Sequence, residues 1–112
     1  MAEGDLNVTR IVCLVVKSGP LKGHKYFVKT DSSILIGRSE KANIRIFDKF
    51  CSRKHALVFW ENDAYYVQDL HSTNGTCVNQ SRVEGKSKLN NHDVISFGST
   101  EVIVAMAEQK NK

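Results

Sequence analysis

Three polar turns carry the residues best suited to chemistry. Gly37-Arg38 closes one apolar run, Ser52-Arg53-Lys54-His55 precedes a second, and Asp69-Leu70-His71-Ser72-Thr73-Asn74-Gly75-Thr76 follows a third. Arg38 and Arg53 supply planar guanidinium forks that match the paired oxygens of a phosphate. Ser52 supplies a hydroxyl, with its backbone N–H as a second donor, and Thr73 lies close by in sequence. Asn74 carries a donor and an acceptor on one amide, which suits it to hold an extended peptide backbone. Each residue has an ordinary explanation when taken singly. Exposed arginines are solvated, loop serines and threonines cap their own turns, and Asn-Gly marks a hairpin. Brought to one place, the three turns form an anion-binding surface.

The same residues do not form a catalytic set. Ser52, His55 and Asp69 lack the G-x-S-x-G elbow of a hydrolase. In an extended segment, the three-residue spacing of Ser52 and His55 points their side chains apart. There is no G-x-x-x-x-G-K-[ST] loop and no kinase glycine-rich loop. The four histidines, His24, His55, His71 and His92, are too widely spaced for a metal-ligand pattern. The expectation is a binding protein with no catalytic residues, no metal and no cofactor.

What positions these turns is a succession of short strands. Runs at residues 8–16, 24–29, 33–36, 43–46, 55–60, 64–69, 76–78, 81–83, 94–97 and 101–107 are rich in β-branched or alternating apolar residues, with Gly, Pro, Asn, Asp and Ser between them. The apolar core of the first, Ile11 to Val16, predicts a strand buried on both faces. Residues 85–92 read as a loop pinned by Leu89, and the runs 55–60 and 64–69 as a hairpin. No stretch has a helical period. The pattern is that of an all-β sandwich or barrel.

Length and composition agree. A chain of 112 residues fits one domain with its own core, and 41% hydrophobic with 25% charged residues is globular usage. The net charge of +4 permits an anionic partner, but the basic residues are scattered, so no nucleic-acid-binding arm is indicated. Three unclustered cysteines, Cys13, Cys51 and Cys77, argue against a disulfide scaffold and for reduced thiols. Residues 1–7 are polar and acidic, unlike a signal peptide, and no apolar run is long enough to span a bilayer. A soluble, intracellular protein is expected.

Gly37-Arg38, Ser52-Arg53-Lys54-His55, Ser72-Thr73-Asn74-Gly75-Thr76, Val78-Asn79, Asp93 and Phe97-Gly98 together resemble a forkhead-associated (FHA) domain over roughly residues 10–107. The resemblance implies an FHA-like β-sandwich of about eleven short strands with binding loops at one end, and recognition of phosphothreonine in extended peptides. It places Arg38 and Ser52 on the phosphate, with Arg53 as a further contact. Thr73 falls beside the phosphothreonine and Asn74 on the peptide backbone. Gly37, His55 and Gly75 become loop-shaping residues, His55 as an internal hydrogen-bonding strut. Two positions depart from the family pattern. His92 stands where Gly is usual before Asp93, and Cys51 stands in an aliphatic position. The resemblance further implies a phosphorylated protein partner, a monomeric domain that can form part of a larger protein, and a nuclear place in DNA-damage or cell-cycle signalling. It divides the chain into a flexible lead-in (residues 1–7), the domain (8–107) and a polar tail (108–112).

Two other readings follow from the same features. One is an FHA-fold interaction scaffold that ignores phosphorylation. The other is a nucleic-acid-binding β domain, in which Phe27, Tyr65 and Tyr66 stack bases. Phe50, two residues before Ser52, either packs into the core or faces the ligand as a specificity residue.

Overall fold

The computed structural model describes residues 8–110, with side chains described for residues 10–107. The expected lead-in, residues 1–7, and the last two residues of the expected tail lie outside the described residues. Eleven strands follow in order: β1 (Val8–Val16), β2 (Lys25–Val28), β3 (Ser33–Gly37), β4 (Ile44–Arg45), β5 (Ala56–Glu61), β6 (Ala64–Asp69), β7 (Thr76–Val78), β8 (Ser81–Arg82), β9 (Lys86–Lys88), β10 (Val94–Phe97) and β11 (Thr100–Lys110). Six form one sheet in the order β2-β1-β11-β10-β7-β8, and five form the other in the order β4-β3-β5-β6-β9. The described residues contain no helix, so none is long and apolar enough to cross a membrane.

The period of two that betrays a half-buried strand also sets the core. Val12, Leu14, Val16, Val28, Ile95, Phe97, Val102 and Val104 point inward from the six-stranded sheet. Ile34, Ile36, Ala56, Val58, Tyr65 and Val67 meet them from the five-stranded sheet. Burying side chains of this size contributes about 1.5–3 kcal/mol each for the larger ones. Tyr65 adds a polar tie between the layers. Its hydroxyl, with the ring buried, lies 2.9 Å from Val28 O and 3.2 Å from Arg10 O in the opposite sheet.

The fold class is as expected, with four local differences. β1 is fully buried on one face only, since Ile11, Cys13 and Val15 alternate with the core residues and stay half-exposed. A single second layer can cover only one face of a sheet. The expected loop at residues 85–92 contains β9, paired with β6 through Tyr66↔Lys88 and Gln68↔Lys86. Its Lys-Ser-Lys sequence hides a strand because it sits at a sheet edge, where lysines discourage pairing with other chains. The expected run at 43–46 shrinks to two paired residues, yet Ile46 N–H still bonds Gly37 O at 2.8 Å. β11 continues past Ala107, because Glu108, Gln109 and Lys110 pair with Arg10, Thr9 and Val8. A polar composition does not prevent strand pairing when the neighbouring strand is long enough to extend the ladder.

The strand registers decide which turns meet. Ile36 pairs with Ala56, Ala56 with Asp69, and Thr76 with Phe97. The loops after β3, before β5 and between β6 and β7 therefore share one end of the sandwich with the β10–β11 turn. The β5–β6 and β7–β8 turns lie at the opposite end. Each of these holds two residues at positive φ: Asn62 and Asp63 (49° and 64°), and Asn79 and Gln80 (51° and 72°). That is the geometry of tight hairpin turns matched to strand twist.

Candidate functional site

The floor of the loop end is a backbone crossing. Arg38 N–H bonds Ser52 O at 2.9 Å and Ser39 N–H bonds Arg53 O at 3.0 Å, so the segment after β3 lies on the segment before β5. Gly37 permits the approach. A Cβ there would sit 2.1 Å from Arg53 O and 2.8 Å from Arg53 C. Glycine's role here is to leave space. Gly75 takes φ +84° in the β6–β7 loop.

His55 joins two of the loops beneath the surface. Its ring is fully buried, 5.5 Å edge-on from Phe97. Nδ1 accepts the Ser52 backbone N–H at 2.9 Å, and Nε2 faces Gly75 O at 2.8 Å. A nitrogen that accepts an N–H holds no proton, so the proton is on Nε2 and is donated to Gly75 O. The strut implied by the resemblance is therefore present. It uses the Ser52 N–H, which sequence reasoning had assigned to the ligand as a second donor. The Ser52 hydroxyl, in turn, accepts the Thr73 N–H at 3.0 Å.

Two carboxylates brace the loops from below. Asp69 accepts the Ser72 N–H (3.1 Å), the Ser72 hydroxyl (2.5 Å) and the Thr76 hydroxyl (2.8 Å). The Ser72 oxygen passes the bracing on by accepting the Gly75 N–H at 2.9 Å. Burial alone would raise the Asp69 carboxyl, but the bonds from Ser72 and Thr76, with His55 nearby, hold it below the ordinary carboxylate value. Asp48 does the same for the loop before β5. It accepts Phe50 N–H (2.8 Å), Ser99 N–H (2.8 Å), Ser99 hydroxyl (2.7 Å) and Thr100 hydroxyl (3.2 Å). Burial pushes its carboxyl up as well, and the bonds from Ser99, Phe50 and Thr100 more than offset it. Cys51 beside it is buried, its thiol pushed up to about 11 by desolvation and by the Asp48 charge. The thiol is therefore inert at neutral pH.

Above this bracing lies an open depression of about 330 Å³ lined by Arg38, Lys49, Phe50, Cys51, Ser52, Arg53, Thr73 and Asn74. All five predicted contact residues line it, as does Phe50. Gly37, His55 and Gly75 lie beneath it or at its edge. Among the described residues, no carboxylate lines it. Arg38 is exposed, with Nε fixed on Cys51 O at 2.9 Å. Asn74 spends one amide donor on Phe50 O at 2.7 Å. Phe50 is 50% exposed, with the Lys49 ammonium 5.3 Å from its ring centre, so of its two expected positions it takes the outward one.

Sequence reasoning missed Lys49, Asp48 and the bracing role of Asp69. A signal existed for the carboxylates. An Asp two or three residues before the N–H it accepts is a side-chain-closed turn, and both Asp48 to Phe50 and Asp69 to Ser72 have that spacing. Elsewhere, His92 takes φ +75° in the place where the family pattern has Gly. Asp93 closes that turn on Asn90 N–H and Asn79 Nδ2.

Comparison with known proteins places this arrangement among described domains. A family model described as the FHA domain matches residues 34–98. The FHA domain-containing protein FhaA of Mycobacterium tuberculosis is 39% identical over 84 residues, covering 75% of this chain. The chain spans only 16% of that relative's length. Among solved structures, a domain from a study of phosphothreonine-dependent FHA interactions superposes with a TM-score of 0.77 at 36% identity, covering 87% of this chain and 97% of the other. The FHA domain of FhaA, solved with the intracellular domain of Rv3910, gives 0.74 at 36% identity, covering 83% and 98%.

Proposed function

The chain belongs to the forkhead-associated family, and on that premise we propose that it is a docking module for phosphothreonine-containing proteins, without catalysis of its own. The observation that carries this reading is the depression lined by Arg38, Lys49, Arg53 and the Ser52 hydroxyl, with no carboxylate of the described residues among its walls. A phosphothreonine brings about −1.5 to −2 charges at neutral pH and three acceptor oxygens. Arg38 has Nε anchored on Cys51 O, which leaves its terminal nitrogens to pair with those oxygens. Ser52 accepts from Thr73 N–H and keeps its own proton to donate. Arg53 adds a second guanidinium. Asn74 retains its carbonyl oxygen and one amide hydrogen for the ligand backbone. Thr73 forms the wall against the threonine methyl, whose burial contributes about 1 kcal/mol toward threonine over serine. Phe50 presents an apolar face to the residues that flank the phosphothreonine. The loops need little movement, because their shape is set before the ligand arrives.

The partner is a phosphorylated protein. A nuclear place in DNA-damage or cell-cycle signalling draws no support from a relative in a bacterium such as M. tuberculosis. The test is calorimetric titration with a phosphothreonine peptide selected from a degenerate library and with its unphosphorylated form. Only the phosphorylated peptide should bind, and Arg38→Ala should cost at least about 2 kcal/mol. Equal binding of the two peptides defeats the reading, and so does unchanged affinity in Arg38→Ala.

A further inference from the structure

Beside the phosphate depression lies a second one, of about 420 Å³, lined by Ser39, Glu40, Lys41, Arg53 and Lys54. The two share Arg53. We infer that this neighbour seats a second anionic group, a phosphate or a carboxylate, carried by the same peptide on the side of the phosphothreonine away from Phe50. The inference rests on the phosphothreonine reading and extends it from one charged residue to two.

Five observations carry it. Lys41, Arg53 and Lys54 are exposed and form no ion pair with any described carboxylate, whereas Lys86, elsewhere on the surface, is paired with Glu61. Among the described residues, Glu40 is the only carboxylate lining the depression, and it stands against three cations. The floor is rigid, because Ser39 N–H is bonded to Arg53 O and the turn above it is closed by Ala42 N–H to Ser39 O and by Lys41 N–H to Ser39 Oγ. Ser39 is buried and its oxygen is already an acceptor, so its own proton remains available to donate. Finally, Phe50, Thr73 and Asn74 line only the first depression, which gives the pair of depressions a direction. A ligand extended across the first passes Arg53. A side chain two or three residues further along an extended backbone lies about 7–10 Å away, enough to reach the neighbour.

The magnitude is that of exposed charge pairs in aqueous surroundings, a gain of roughly fivefold to tenfold in affinity that shrinks with salt. The experiment uses fluorescence anisotropy with one phosphothreonine peptide and a series that adds phosphoserine or Asp at each position within three residues on either side. On one side of the phosphothreonine, one register should bind at least about fivefold tighter with phosphoserine and less so with Asp. The Lys41→Ala, Lys54→Ala double variant should erase that gain and change affinity for the singly phosphorylated peptide by less than about twofold. Absence of any gain, or a gain that survives in the double variant, overturns the inference and leaves the phosphothreonine reading standing. Failure of the singly phosphorylated peptide to bind at all overturns both. A short DNA duplex that binds the native chain as tightly as the doubly charged peptide, and is lost in the double variant, would reassign the patch to nucleic acid.

Discussion

The two ends of the sandwich are shaped by different means. At the hairpin end, Asn62-Asp63 and Asn79-Gln80 turn the chain by their own positive-φ backbone angles, and one local tie supports the second turn, with Asn79 Nδ2 donating to Asp93 and Val94 N–H donating to Asn79 Oδ1. At the loop end, side chains that lie beneath the surface hold the chain. His55 links Ser52 to Gly75, Asp69 gathers Ser72 and Thr76, and Asp48 ties Phe50 to Ser99 and Thr100. The difference shows how a binding surface made of loops can be stiff. The side chains of Arg38, Ser52 and Asn74 are fixed by Cys51 O, Thr73 N–H and Phe50 O, and the loops that carry them are braced from beneath by His55, Asp69 and Asp48.

The severest way to break this contrast is at Gly37. A methyl group there meets Arg53 O at 2.1 Å, and both neighbours are backbone, so Gly37→Ala should cost about 3 kcal/mol or more in a denaturation experiment. Phosphopeptide affinity should fall with stability, because the same crossing sets Arg38 and Ser52. A well-folded Gly37→Ala protein with native affinity would show that the crossing is not needed. His55→Ala comes next, at about 2–3 kcal/mol, since it leaves Ser52 N–H and Gly75 O without their partner and opens a cavity against Phe97. In contrast to a surface variant, it should weaken peptide binding without removing any group that faces the ligand. NMR shifts at Thr73 and Asn74 would report the loosened loops.

Acid should act on the loop end. Both Asp48 and Asp69 are held below the ordinary carboxylate value of 3.8 in the folded chain. Each therefore contributes stability that is fully present above that value and is lost as pH falls through it toward the lower folded value. Unfolding free energy should be flat across neutral pH and fall below about pH 4. In Asp69→Asn the fall should be shallower from a lower plateau. An identical acid slope in the variant removes Asp69 from the account. Peptide affinity should weaken earlier, near pH 6, as the phosphate itself gains a proton. The smallest effect is expected at the hairpin end. Asn62→Ala removes the short polar side chain that lets a residue tolerate φ 49° and should cost about 1 kcal/mol, with no change in peptide affinity. A loss of binding there would mean that the two ends are coupled through the sheets.

Much of the loop end could be read from residue types. Arg38, Ser52, Thr73 and Asn74 stand at strand ends in a pattern few other folds use, and the registers bring them to one depression. What could not be read was which groups were already engaged. Ser52 N–H looks like a free donor until the fold turns the His55 ring back toward it, and sequence spacing says nothing of ring direction. Phe50 could equally have entered the core, since one apolar residue between Lys49 and Cys51 has no period to decide its face. β9 escaped notice because edge strands are selected against the apolar pattern that reveals a strand. The half-exposed face of β1 was misjudged because a run of β-branched residues reads alike whether one layer or two cover it.

The pairing of Val8 with Lys110 has a consequence for the architecture of any longer chain that holds such a module. Entry and exit lie side by side at the hairpin end, and the docking loops face the other way. The unit can be spliced between other segments like a cassette, without lengthening the path between its neighbours and without covering its loop end.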